Sequence, residues 1–430
     1  MIERIALISE HASPLAVLGG CDCGGQNVYV GQLARRLAQK GLLVDVFTRR
    51  DDSAVPEVVS WGQGIRIIHV PAGPPSPVRK EELLPYMGDF ARYMHAWLLQ
   101  RRGRYDVVHA NFFMSGLIAR DIKERFGIPF VITFHALGAV RQLYQGAEDR
   151  FPKERVRYEA AIIHEADAIF AECPQDAKDL MAFYGAPGAK LRLVPCGFDP
   201  EQFKPMDRPM ARRALGLSPS EPVVLHVGRM VPRKGIDTVI EAMARLRDQH
   251  HMRARLVIVG GESDDDDPVR TPEIGRLKAI VQARGLTEEV TFVGRRRPAQ
   301  LRVFYNAADL FVTTPWYEPF GITPLEAMAC ATPVIGASVG GIKYTVRHKE
   351  TGYLVPPSNP AAVALYMAHA LSHPIECRAL GERGLRWVRA MFTWDAVSDL
   401  AVRVYEEVAG APRKAGTQPA AIPNTLSSKF

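Results

Sequence analysis

Pro195-Cys196-Gly197-Phe198-Asp199-Pro200, followed by Lys204-Pro205-Met206-Asp207-Arg208-Pro209, divides the chain in two. Proline and glycine at this density interrupt regular structure, so the stretch reads as a linker. On its N-terminal side, residues 4–8, 43–48, 65–70, 107–109, 130–134, 168–171 and 191–194 read as short apolar strands. Between several of them lie amphipathic helices. In 26–40, Val30, Leu33, Ala34 and Leu37 recur at helical spacing, and Gly41 ends the run. On the C-terminal side the alternation restarts. Strands are expected at 223–227, 255–259, 290–293, 310–312 and 333–336, and helices at 237–249, 272–284, 298–307 and 324–329. Alternating strands and helices build parallel sheets covered on both faces, so the expected class is α/β with two doubly wound domains. The linker sets their bounds at 1–200 and 201–391. A last helix, about 392–409, is expected to pack back on the first domain, and the polar stretch 410–430 is expected to be disordered. Two such sheets place facing strand ends around a cleft, where ligands of doubly wound domains bind.

Composition agrees with that division. The 430 residues are 47% hydrophobic and 23% charged, enough for two separate cores and unlike a disordered or fibrous chain. No apolar run approaches the roughly 18–20 residues of a membrane span. The opening Met1-Ile2-Glu3-Arg4-Ile5-Ala6-Leu7-Ile8 reads as a buried strand rather than a signal peptide, so the expected location is cytoplasmic. Cys21, Cys23, Cys173, Cys196, Cys330 and Cys377 lack the spacing of zinc motifs and are read as reduced thiols. A net charge of +7 favours anionic partners, yet the longest basic run, Arg295-Arg296-Arg297, reads as a solvated loop. The expected partner is a phosphorylated small molecule and not nucleic acid.

Four stretches carry chemistry. Gly24-Gly25-Gln26-Asn27 closes a glycine-rich loop and opens a helix, where free N–H groups suit a phosphate. Gly228-Arg229-Met230-Val231-Pro232-Arg233-Lys234-Gly235 follows a strand, and cations at 229 and 234 can straddle a diphosphate. Glu318-Pro319-Phe320-Gly321-Ile322-Thr323-Pro324-Leu325-Glu326 holds two carboxylates able to accept hydrogen bonds from sugar hydroxyls. Glu326 also has a structural reading, as the partner of Thr323 in a capping box with Pro324 at the first helical position. Gly340-Gly341 adds a second close backbone approach. His135 ends a buried strand, where it faces a ligand or serves as a satisfied core histidine. Asp264-Asp265-Asp266-Asp267 is read as a solvated loop, because adjacent side chains do not converge on one ion; no metal or other cofactor is expected.

In this order the stretches resemble the retaining glycosyltransferases of family 4, GT-B enzymes with two Rossmann-like domains facing across a cleft. The likeness spans about residues 2–408. It is carried by the seven-residue gap between Glu318 and Glu326, by Gly228-Arg229 with Lys234-Gly235, and by Gly340-Gly341 with Thr351-Gly352-Tyr353-Leu354-Val355-Pro356-Pro357. Through Gly24-Gly25-Gln26-Asn27-Val28-Tyr29-Val30 it looks like the sucrose-phosphate-synthase-like enzymes and the inositol-phosphate glycosyltransferases of mycothiol synthesis. The resemblance implies a catalytic set of His135, Arg229, Lys234 and Glu318. Arg229 and Lys234 would bind the donor diphosphate, Glu318 the hexose and Glu326 the ribose, with Gly24, Gly25, Phe320, Gly321 and Ile322 completing the donor site. Asn27, Lys80, Arg141 and Arg155 would contact the acceptor. The chain departs from its likenesses at Phe112 and Ala136, where the inositol-phosphate enzymes usually have Tyr and Thr. It also has Ala136 and Ala139 where the sucrose-phosphate enzymes usually have Ser and Arg. The implied reaction is retaining, metal-independent transfer of a hexosyl group, glucose from UDP-glucose, to a free or phosphorylated sugar or polyol. The other implied reading is a GDP-mannose or UDP-N-acetylglucosamine donor with a glycan or lipid-linked acceptor and peripheral membrane contact.

Overall fold

The computed structural model describes residues 2–16, 24–100 and 105–410. Cys21, Cys23 and the stretch 411–430 lie outside the described residues, whereas Gly410 closes a helix. The described chain divides into two compact units: 2–16 with Gln26–Pro195 and 397–410, and Cys196–Ala396 with Gly24 and Gly25.

The first unit is built on β1 (Arg4–Ile8), β2 (Leu43–Arg49), β3 (Val58–Ser60), β4 (Ile65–Val70), β5 (Val107–Asn111), β6 (Phe130–Thr133), β7 (Ala168–Ala171) and β8 (Leu191–Leu193). Their order across the sheet is β3-β4-β2-β1-β5-β6-β7-β8, parallel except where β3 pairs with β4. β1, β2 and β5 to β7 are buried almost throughout, as strands covered on both faces must be. β3 is a three-residue edge strand, half exposed and too short to show a period. The helix Phe113–Phe126 buries Phe113 through Ala119 without a break, so it lacks the one-sided pattern that marks a surface helix.

The second unit is built on β9 (Val223–Val227), β10 (Arg255–Val259), β11 (Val290–Gly294), β12 (Leu310–Thr313), β13 (Val334–Ala337) and β14 (Gly352–Val355), in the order β11-β10-β9-β12-β13-β14 with parallel pairing. β14 lies inside a stretch quoted above as a motif and not read as a strand. Val224, Leu256 and Leu310 from the sheet pack with Val239, Ile240 and Met243 of the helix Ile236–His250 to form its core. In each sheet the order reverses beside the first strand, between β1 and β5 and between β9 and β12. That reversal opens a crevice at the carboxyl ends, where the connecting loops leave in opposite directions.

The linker is sewn to the end of the second unit. Phe198 N donates to Phe392 O at 2.9 Å and Trp394 N to Phe198 O at 3.2 Å. Phe392 is fully buried among Phe320, Tyr344 and Trp387. Phe392→Ala should remove that packing and destabilise the protein by about 3–5 kcal/mol. Urea unfolding followed by tryptophan fluorescence would show it as a lowered midpoint.

Candidate active site

In the second unit, β9 runs into the loop 228–235, which lies against the chain leaving β12. Thr314 Oγ1 donates to Gly235 O at 2.7 Å, Trp316 Nε1 to Pro232 O at 2.8 Å, and Arg233 Nη1 to Tyr317 O at 3.1 Å. Gly235 has φ +63°, and a Cβ there would stand 2.1 Å from Thr314 O, so no side chain fits. This packing brings Lys234 Nζ onto the Glu318 carboxylate, with Arg233 Nη1 3.6 Å from the same oxygen. Burial alone would raise the Glu318 pKa. The charges of Lys234, Arg233 and Arg229 outweigh it and hold that pKa below the usual value. Burial in turn lowers Lys234, against the opposing pull of Glu318.

Gly340-Gly341 does make a close backbone approach, and its target is the protein's own Glu318 turn. A Cβ on Gly340 would lie 1.8 Å from Glu318 O, and one on Gly341 2.5 Å from the Phe320 Cα. The glycine pair therefore fixes where the Glu318 carboxylate stands. Phe320 is buried against Phe392, so its ring supports the turn from behind.

Glu326 does not belong to a capping box. Its helix, Ile322–Ala329, begins at Gly321 with φ +91° and has no side-chain cap, so Thr323 lies inside the first turn. Glu326 is held from outside that turn: Tyr305 donates its hydroxyl to Glu326 Oε2 at 2.7 Å. Tyr305 escaped the sequence reading because nothing local ties it to a residue 21 positions later. Burial raises Glu326 to about 7, with the Tyr305 bond pulling the other way. Gly24 and Gly25 group with this unit. A Cβ on Gly24 would meet Arg229 Cδ at 3.9 Å and one on Gly25 Ile322 Cδ1 at 3.6 Å. Thus Gly24, Gly25, Arg229, Lys234, Glu318, Gly321, Ile322 and Glu326 occupy one neighbourhood.

In the first unit His135 follows β6 with φ +58°, a strained conformation for a non-glycine residue. Its Nδ1 lies 3.0 Å from Glu172 Oε1 and its Nε2 3.1 Å from Asn111 Oδ1. Asn111 Nδ2 donates to Ile8 O and His109 O, both at 3.3 Å, which turns the amide oxygen toward His135. Asn111 ends β5 and Glu172 follows β7. Both are polar residues at the carboxyl end of a buried strand, the signal that singled out His135 and could have found them.

The acceptor candidates divide. Arg155 is 1% exposed and its guanidinium is stacked on Phe112, Phe113 and Phe151 at 4.7, 4.8 and 4.6 Å. It donates to Glu159 at 2.7 Å and to the Ala136 carbonyl, while Nη1 has no hydrogen-bond partner among the described residues. Arg141 stands over the other side of this cluster, 5.1 Å from the Phe151 ring, and pairs with Asp149 at 2.9 Å. Asn27 donates to Ser13 O at 2.9 Å. Lys80 lies on the 3-10 turn Lys80–Glu82, 3.9 Å from Glu81. Arg141 and Arg155 share the Phe151 ring.

The aspartates 264–267 meet basic partners: Asp264 pairs with Arg295 at 3.1 Å, Asp266 with Lys278 at 2.6 Å and Asp267 with Arg270 at 3.8 Å. Among the described residues no helix is long and apolar enough to cross a membrane.

Because the folded pKa of Glu326 lies above its ordinary value, the folded state holds the extra proton between pH 4.5 and about 7. Stability contributed by that proton is therefore lost as pH rises through this window. Glu326→Gln should flatten this part of the stability profile relative to the parent, a difference readable from denaturation midpoints at pH 5 and pH 8.

The family described as glycosyl transferases group 1 matches residues 207–387, and that described as glycosyltransferase family 4 matches 23–202. A D-inositol 3-phosphate glycosyltransferase of Acidothermus cellulolyticus is 37% identical over 421 residues, 97% of this chain and 93% of the relative. One of Actinosynnema mirum is 36% identical over 409 residues, covering 94% and 97%. Among solved structures, a sucrose-phosphate synthase from Thermosynechococcus elongatus superposes with a TM-score of 0.87 at 36% identity, covering 95% of this chain and 100% of that one.

Proposed function

The chain belongs to the family 4 glycosyltransferases of GT-B fold, and from that premise we propose that it moves a hexosyl group from a nucleoside-diphosphate sugar, UDP-glucose, onto a phosphorylated polyol or sugar, with retention and without a metal ion. One observation carries this reading: two cations, Lys234 and Arg233, stand on the single carboxylate of Glu318, with the charge of Arg229 also acting on it. Breaking the bond between sugar and diphosphate leaves negative charge on the bridging oxygen. Positive groups already in place counter it without reorganising at the moment of reaction. A diphosphate competes with Glu318 for Lys234 and Arg229, and Arg supplies the bidentate donors while Lys supplies a compact charge. Glu318, so released, accepts hydrogen bonds from hexose hydroxyls.

Tyr305 satisfies one oxygen of Glu326, leaving the other to accept from a ribose hydroxyl. The strained backbone at His135 is in keeping with contact to the transferred sugar. For the acceptor, Arg155 Nη1 is a buried donor without a hydrogen-bond partner among the described residues, which a phosphate oxygen would satisfy. The relatives' names supply the class: one is named for D-inositol 3-phosphate, the other for sucrose phosphate. Phe112 and Ala136 flank Arg155 without a hydroxyl, so fewer side-chain donors would reach the acceptor there.

Nucleoside diphosphate release should be followed with UDP-glucose, UDP-N-acetylglucosamine and GDP-mannose, each with D-inositol 3-phosphate or a hexose phosphate. UDP release from UDP-glucose that depends on the phosphorylated acceptor is the expected result. Lys234→Ala should lower turnover about a hundredfold or more. Its folding should be retained, because Arg233 and Arg229 still neutralise Glu318. Near-normal turnover in that variant would remove the cation cluster from the reaction. Activity should survive EDTA; a loss that Mn²⁺ restores would overturn the metal-independent mechanism.

A further inference from the structure

The last helix of the chain, Trp394–Gly410, carries Tyr405, which is fully buried in the first unit. Its hydroxyl lies 2.6 Å from His109 Nδ1, and the other ring nitrogen of His109 lies 2.8 Å from Thr133 Oγ1. Burial, reinforced by His135, holds the His109 pKa down at about 3, so the ring is neutral. A neutral imidazole donates from one nitrogen and accepts at the other, and here each nitrogen meets a hydroxyl able to answer it. The Tyr405 ring is further set by Phe170, stacked at 5.9 Å and 16°.

His109 and Asn111 are two residues apart on β5 and so share a face of the sheet. Asn111 pairs in register with Thr133 on β6, and His135 is two residues beyond Thr133. Two walls join the histidines. Asn111 donates to His109 O and accepts from His135, and the Tyr29 ring stands edge-on to both, 6.2 Å from His109 and 4.9 Å from His135. A shift of the His109 ring acts on its two ring contacts, the Tyr29 edge and Thr133 Oγ1, and Thr133 is the register partner of Asn111.

We propose that Tyr405 is a positioning residue: its hydroxyl sets the His109 ring, and through Thr133, Asn111 and Tyr29 it sets the imidazole of His135 against the transferred sugar. The residue most remote in sequence from His135 in this network thus tunes the reaction without touching substrate. This inference rests on the reading of His135 as a group that contacts the donor sugar.

Tyr405→Phe removes the hydroxyl and keeps the packing on Phe170. Turnover of the full-length variant should fall about tenfold, a change that one lost buried hydrogen bond can produce. KM for the donor should stay near the parent value when both proteins are assayed well below their melting temperatures. In the His135→Ala background, assayed with radiolabelled donor over long incubations, the same substitution should change nothing further. An unchanged Tyr405→Phe enzyme, or an equal loss in both backgrounds, would overturn the link. If His135→Ala itself turns over like the parent, the reading of His135 falls first. If His135→Ala is slow while Tyr405→Phe is normal, only the Tyr405 connection falls.

Discussion

A carboxylate drawn almost out of water has to be neutralised, and at the carboxyl ends of β9 and β12 the Glu318 side chain, 12% exposed, is neutralised by Lys234 with Arg233 and Arg229 nearby. The dependence is mutual. Three cations brought together repel one another, and Glu318 is what allows them to share a site. Losing one member of an isolated buried pair commonly costs about 3–5 kcal/mol because the other charge remains, whereas here Arg233 and Arg229 still face Glu318 when Lys234 is removed. The surrounding backbone is built to keep the cluster in place. Gly235 lets one loop press on Thr314, and Gly340-Gly341 presses on the turn that carries Glu318. A site stabilised in this way is already shaped for charge before any ligand arrives, as the proposed departure of a diphosphate requires.

The first unit solves the burial problem differently. Beneath His135 burial leaves His109 neutral, and Tyr405 and Thr133 supply hydroxyls that can each donate to or accept from its ring nitrogens. Where a full charge is buried, at Arg155, it is met by Glu159 on one side and three phenylalanine rings on the other. Glu159 is in turn bonded by Gly138 N at 2.9 Å and by the Tyr184 hydroxyl. Such a network holds its geometry because both Glu159 oxygens are answered, and Arg155 Nη1, without a hydrogen-bond partner among the described residues, is an atom with something left to bind.

Much of this was legible before the structure. Buried strands declared themselves as apolar runs, and β1, β4, β7, β9 and β10 lie at the residues expected. The edge strand β3 and the helix Phe113–Phe126 were hidden for opposite reasons, one too short and exposed to carry a period, the other buried on too many sides to show one. Thr323 looked like a cap because its neighbours fit the pattern. Gly321 caps the helix instead, ahead of Thr323, since φ +91° lets the chain enter from the Glu318 turn.

By itself the sequence determined the class of architecture, two rounds of strand and helix joined at a proline-rich break, and it named the candidate residues of each unit: Arg229, Lys234, Glu318 and Glu326 in one, His135 in the other. These are local properties, set by periodicity, by turn residues and by which side chains follow a strand. Partnership was decided only by tertiary structure. Tyr305 reaches Glu326, Tyr405 reaches His109 across 296 residues, and Gly340 meets Glu318, because strand order and not sequence distance decides what lies side by side. Parallel strands connected by crossovers bring remote residues to the same end of the sheet, and no local pattern records which ones will meet.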